Sequence, residues 1–129
     1  MVGGIEGPTM TSSHRFLVSD ELFDVATQAI RAQSLESRKF ESIVSAVTAA
    51  AKSVQHQDVS KAKIAQLLDS TPVDGPNRIH IEFKGDGKTA FKAAGDDLAA
   101  RFGSALSAKQ RFALLLLLAL ESGRAAQRY

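Results

Sequence analysis

The chain has 129 residues, is 44% hydrophobic and 23% charged, carries a formal net charge of +2 and lacks cysteine. It is long enough for one compact domain, and it excludes disulfides and thiolate chemistry. Its longest apolar run, Phe112 to Leu120, is less than half of the about 20 residues that cross a bilayer, so the reading is a cytoplasmic chain with no membrane partner.

Charge is unevenly spread. Residues 1–60 hold five Lys and Arg against seven acids, and residues 61–129 hold eleven against seven. This mild asymmetry permits a nucleic-acid partner without demanding one.

Residues 1–11 read as a flexible tail. They lack the basic start and apolar core of a signal peptide, and Met10 is an alternative start. Ser13 to Val18 is a short strand candidate, with Phe16 and Val18 on one side. Ser19 is a good helix cap, followed by Asp20 and Glu21, where the helix dipole favours acids. Leu22, Val25, Ala26, Ala29 and Ile30 then share a helical face. Gln33 to Ser37 breaks the phase. The pattern predicts that Ser37 caps a second helix from Arg38 to about Lys52, with Phe40, Ile43, Val44 and Val47 inside.

Residues 53–77 form the connection. Ser60 to Asp69 reads as a short helix, and Thr71 to Asn77 is a turn marked by two prolines and Asp-Gly. Arg78-Ile-His-Ile-Glu-Phe83 alternates as a half-buried strand. Lys84 to Lys88 reads as a loop. A helix from about Thr89 to Phe102 gathers Phe91, Ala94, Leu98 and Phe102, and Gly103 stops it. Ser107 and Gln110 form a capping box for a last helix, which runs to about Ser122. Leu117 is expected at the buried centre of that helix. Residues 125–129 read as a basic tail.

The order is strand-helix-helix twice. Ser34-Leu-Glu-Ser37-Arg-Lys39 and Ser104-Ala-Leu-Ser107-Ala-Lys109 share Ser-x-x-Ser-x-Lys. Aligned on that pattern, the second unit carries a few extra residues. One β-α-α unit leaves its strand unpaired and cannot bury so much leucine alone, so the two units need each other.

This order resembles the ribbon-helix-helix (Arc/MetJ-like) superfamily, over residues 12–124. Its single-chain form resembles the tandem TraY-type and VirC-type accessory proteins of DNA transfer. The resemblance implies a mainly helical domain with a two-stranded antiparallel ribbon. Unit one would span 12–52, the connection 53–77 and unit two 78–124, forming a pseudo-twofold monomer. In the family the ribbon enters the major groove of duplex DNA, where a two-stranded ribbon fits the donor–acceptor code.

Alternation along the strands puts Ser13, Arg15, Leu17, Arg78, His80 and Glu82 outward, as candidate base readers. Arg15 and Arg78 suit guanine, Ser13 and His80 can hydrogen-bond, and Leu17 suits a thymine methyl. Glu82 departs from the pattern, because a carboxylate near phosphates is costly unless it accepts from cytosine. The family also holds phosphates at the starts of its second helices, where free N–H groups and the dipole favour an anion. On the predicted boundaries these ends carry Ser34, Ser37, Arg38 and Lys39, and Ser104, Ser107, Lys109 and Arg111.

Other chemistries fit poorly. Gly87-Lys-Thr89 lacks the earlier glycine of a P-loop, since Glu82 stands there. His14, His56 and His80 have no metal-ligand spacing, and no nucleophile elbow is present. The sequence therefore predicts no enzyme, metal or cofactor. It predicts a sequence-specific duplex-DNA-binding protein, acting as a plasmid or T-DNA transfer accessory factor or a transcriptional regulator. Other proteins of a nucleoprotein complex are possible partners. The alternative is an interaction module that kept the fold and lost DNA binding.

Overall fold

The computed structural model describes residues 11–127. Residues 1–10 of the expected N-terminal tail, and residues 128 and 129 of the expected basic tail, lie outside the described residues. In chain order the elements are β1 (Thr11–Val18), α1 (Asp20–Ser37), α2 (Ile43–Val54), α3 (Lys61–Ser70), β2 (Asn77–Lys84), α4 (Gly85–Phe102) and α5 (Ala108–Gln127). The protein is mainly helical, with one two-stranded antiparallel sheet among the described residues.

β1 pairs with β2 from Thr11 opposite Lys84 to Val18 opposite Asn77. The alternation read from the sequence holds. Phe16, Val18, Ile81 and Phe83 are buried, whereas Ser13, Arg15, Leu17, Arg78, His80 and Glu82 are exposed. One face of the ribbon therefore lies on the helices and the other faces water, as an antiparallel sheet allows.

Ser19 joins the ribbon to the first helix. Its hydroxyl accepts the Leu22 N–H at 3.0 Å and donates to the Pro72 carbonyl at 2.5 Å. Its own N–H donates to the Val73 carbonyl at 3.1 Å. This buried side chain is fully engaged, so it caps α1 and pins the connection before β2 without an unsatisfied group. Asn77 adds a bond from its side-chain nitrogen to Asp20, at 2.8 Å.

The core joins small residues to large ones. Ala46, Val47, Ala50, Ala51 and Val54 of α2 share one buried cluster with Phe112 to Leu116 and Leu118 of α5, and the two helices are in contact. Alanine lets the two helices approach, and leucine fills the space between neighbours. α1 packs on α5, and α2 packs on both α4 and α5. α3 closes over α4 and α5 through Ile64 and Leu67.

Several boundaries differ from the sequence reading. α1 runs through Ser37, because nothing in Gln33 to Ser37 prevents the helical bonds. It ends at Arg38, which is left-handed at φ 61° and donates its N–H to the Ser34 carbonyl. The second helix is capped by Ser42, not Ser37. Ser42 and Ser45 bond reciprocally to each other's backbone N–H groups, and that box fixes the start at Ile43. Phe40, expected inside, is fully exposed at 105%. α4 begins at Gly85, so the expected loop from Lys84 to Lys88 is mostly helix, and α5 extends past Ser122 to Gln127. Leu117 is half-buried, while Leu114, Leu115 and Leu116 are fully buried.

The corrected boundaries repeat at one spacing. Asp20 to Gly85 and Ser37 to Phe102, the starts and ends of α1 and α4, are each 65 positions apart. The left-handed caps Arg38 and Gly103 are 65 apart. So are Ile43 and Ala108, the starts of α2 and α5. Unit two carries no extra residues across the helices. The match of Ser34 and Ser37 with Ser104 and Ser107 is thus out of phase, and Ser42 is the counterpart of Ser107.

Candidate nucleic-acid interface

Three cross-strand pairs on the outer face of the ribbon join the six expected base readers. Ser13 lies opposite Glu82, Arg15 opposite His80, and Leu17 opposite Arg78. The pleat alone brings these six side chains together, since alternate residues share a face. Ser13 Oγ and His80 Nε2 are 3.0 Å apart, tying one strand to the other diagonally. Leu17 is 52% exposed. Arg15, Phe16, Leu17, Arg78 and His80 line one shallow hollow.

Among the described residues neither Arg15 nor Arg78 has an ion pair or side-chain hydrogen bond. Their ten N–H donors (five each) remain open to a ligand. With Lys84, opposite Thr11, they outnumber the one carboxylate of this face, Glu82. The face is therefore net positive at close range, although the chain as a whole is nearly neutral.

A helix start flanks each end of the ribbon. At the end of β1, the Lys109 ammonium in the first turn of α5 donates to the Leu17 carbonyl at 2.7 Å. It also lies 2.5 Å from an Asp74 carboxylate oxygen. At the end of β2, Glu41, Ser42 and Ser45 line one hollow with Glu82 and Lys84. Both helices are thus tied or adjacent to the ribbon at their N-terminal, electropositive ends.

The eight expected phosphate contacts divide. Ser34, Ser37, Arg38 and Lys39 stand at the C-terminal end of α1 and just past it, not at a helix start. The Ser34 hydroxyl accepts the Glu41 N–H at 2.9 Å, and the Ser37 hydroxyl donates to the Glu41 carboxylate at 2.5 Å. The Ser37 bond, helped by Ser45, holds the Glu41 carboxyl below its usual range. In the second unit Ser107 caps α5: its hydroxyl accepts the Gln110 N–H at 3.1 Å, and its N–H donates to Gln110 at 2.9 Å. Arg111 crosses Gly95 to meet Asp96 at 2.9 Å and also donates to the Leu106 carbonyl. Hydrogen bonds from Lys92 and Arg111 hold the Asp96 carboxyl low. Ser104 is exposed between α4 and α5.

Sequence reasoning missed Ser42, Ser45 and Lys84 as flanking groups. The signal was present: Ser42-x-x-Ser45 stands 65 positions before Ser107-x-x-Gln110.

Among the described residues no group of three His, Asp or Glu side chains is placed to hold a metal ion, and no helix is long and apolar enough to cross a membrane. Comparison with protein-family models, curated proteins and solved structures finds no match to this chain.

Proposed function

We propose that the chain is a tandem ribbon-helix-helix protein that binds duplex DNA by laying the outer face of its ribbon in the major groove. The pseudo-twofold axis passes through the Arg15–His80 pair, which relates residues 65 positions apart. The shared spacing of the helix boundaries supports this arrangement. So does the packing of α1 on α5 and of α2 on α4, which exchange under the same operation.

One observation carries the functional reading. Two unpaired arginines share a solvent-facing, groove-sized ribbon that has a helix start at each end. Arg15, Arg78, His80 and Ser13 read base edges, Leu17 meets a thymine methyl, and Glu82 accepts from a cytosine amine. Backbone N–H groups near Ser42 and Ser107 meet the flanking phosphates, with Arg38 and Lys39 nearby. The role is that of a transfer accessory factor or a transcriptional regulator.

The test is selection of a preferred duplex from a random pool, followed by gel shifts at two salt concentrations. Arg78→Ala should erode preference for the selected site by about 1–3 kcal/mol. It should change non-specific affinity much less.

A second reading rests on Glu82 and on the commitment of Lys109 and Arg111 to internal partners. These favour an interaction module that docks a protein on the ribbon. A chain that ignores duplex DNA at low salt while fully folded would decide for it.

A further inference from the structure

The spacing of 65 positions makes each unit a control for the other. The link between α1 and α2 begins Arg38-Lys39-Phe40, and the equivalent link between α4 and α5 begins Gly103-Ser104-Ala105. Both links open with a left-handed residue, at φ 61° for Arg38 and φ 80° for Gly103. Glycine accepts that conformation freely, whereas a side chain is strained there. The fold thus needs only a small, neutral link at this position. Unit one instead places two cations and an aromatic ring there, and the ring is fully exposed.

The link is also held in shape. The Arg38 N–H donates to the Ser34 carbonyl at 2.9 Å. On the other side of Phe40, Glu41 is bonded through its N–H to Ser34 and through its carboxylate to Ser37. Phe40 is therefore presented to solvent by a braced backbone. Its location is specific too, because the next residues, Glu41 and Ser42, line one hollow with Glu82 and Lys84 at the end of the ribbon.

We infer that Arg38-Lys39-Phe40 is a second DNA-contacting element, in which Phe40 stacks on or wedges into a base step beside the ribbon's footprint. The inference rests on the duplex-binding reading above. An exposed ring preceded by two cations matches nucleic acid chemically, since the cations meet phosphates and every base offers a face for stacking, while the Glu41 carboxylate on its other side is held by Ser37. Apolar wedges of this kind unstack a step and bend the duplex. Ala105 offers no such ring at the other end. The contact is one-sided, so it orients the protein on its target.

The experiment uses the full chain and a selected duplex carrying a fluorescent adenine analogue that brightens on unstacking, placed at successive steps beyond the footprint. Phe40→Ala should weaken binding about tenfold. It should abolish the fluorescence change and leave the melting temperature and salt dependence unaltered. Lys39→Ala should instead lower the salt slope by about one unit. Arg38→Gly should do the same without loss of stability. Equal affinity and equal fluorescence for Phe40→Ala and the unaltered chain would overturn this inference alone. Failure of the unaltered chain to bind any duplex would overturn both it and the reading it rests on, whereas Arg78→Ala tests only the latter.

Discussion

Lys109 and Leu17 are joined by a 2.7 Å bond from the ammonium to the backbone carbonyl, which ties the first turn of α5 to the end of β1. The same ammonium meets exposed Asp74. An exposed ion pair contributes little, but a carbonyl that loses a charged donor loses more. Lys109→Ala should lower stability by about 1 kcal/mol, and Asp74→Ala by less, as read from urea unfolding. If Lys109→Ala instead leaves stability untouched and weakens binding to every duplex alike, the lysine serves phosphate and its bond to Leu17 is incidental.

His14 sits on the inner face of the ribbon, its ring 5.6 Å from Phe16, 6.0 Å from Phe83 and 5.5 Å from Phe91. Ser12 bonds to it at 3.0 Å, and burial holds its pKa below the ordinary 6.5. The folded state therefore resists a proton that the unfolded chain accepts. Stability is full above 6.5 and falls as the pH drops through that value toward the lower folded one. His14→Ile, which copies Ile79 at the equivalent position, should remove this part of the pH dependence. Melting curves from pH 5 to 8 check it. An unchanged profile in the variant would assign the dependence to other groups.

Adjacent leucines of α5 should differ in cost. Leu116 is fully buried and Leu117 only half-buried. Leu116→Ala should cost about 2–5 kcal/mol, as a cavity in a packed core does. Leu117→Ala should cost distinctly less. Equal losses on thermal unfolding would mean that the helix is rotated from its described orientation.

Gly75 passes close to the start of α1. A Cβ there would lie 2.4 Å from the Ser19 Cα and 2.7 Å from the Val18 carbonyl oxygen, both backbone atoms that cannot swing aside. Gly75→Ala should destabilise by about 1–3 kcal/mol through overpacking. It should also speed hydrogen exchange at Ser19, whose N–H bonds to Val73. Gly85→Ala meets no neighbouring atom and bears only the strain of its φ of 49°, so its loss should be smaller.

The ribbon was the most legible part of the chain. Strict alternation in Arg78 to Phe83 assigns a side to every residue, and a shift of one position would turn every side chain over. Ser19, Gly103 and the Ser107–Gln110 box were legible because each satisfies local backbone groups at a helix end. The end of α1 was not legible. Ser34, Ser37, Ser42 and Ser45 are all competent caps, and only the reciprocal bonds of Ser42 with Ser45 decide among them. Phe40 was misplaced by the same shift, because apolar character alone cannot separate a core residue from a displayed one. The phase of five consecutive leucines was hidden for a related reason: an unbroken apolar run carries no periodicity. Lys109 and Arg111 had internal partners that are distant in sequence, so their engagement emerges only from the fold.

β1 and β2 belong to one chain and are joined by a covalent connection through α1, α2 and α3. Two separate β-α-α chains would lose their pairing on dilution, by mass action. Here each strand meets the other at an effective concentration set by the folded tether of residues 19–76, which dilution does not change. A chain that folds as a monomer should then melt at a temperature independent of protein concentration. Within one molecule the tether pairs the strand bearing Arg15 with the one bearing His80 rather than with a copy of itself, so the two halves of the ribbon's outer face carry different side chains.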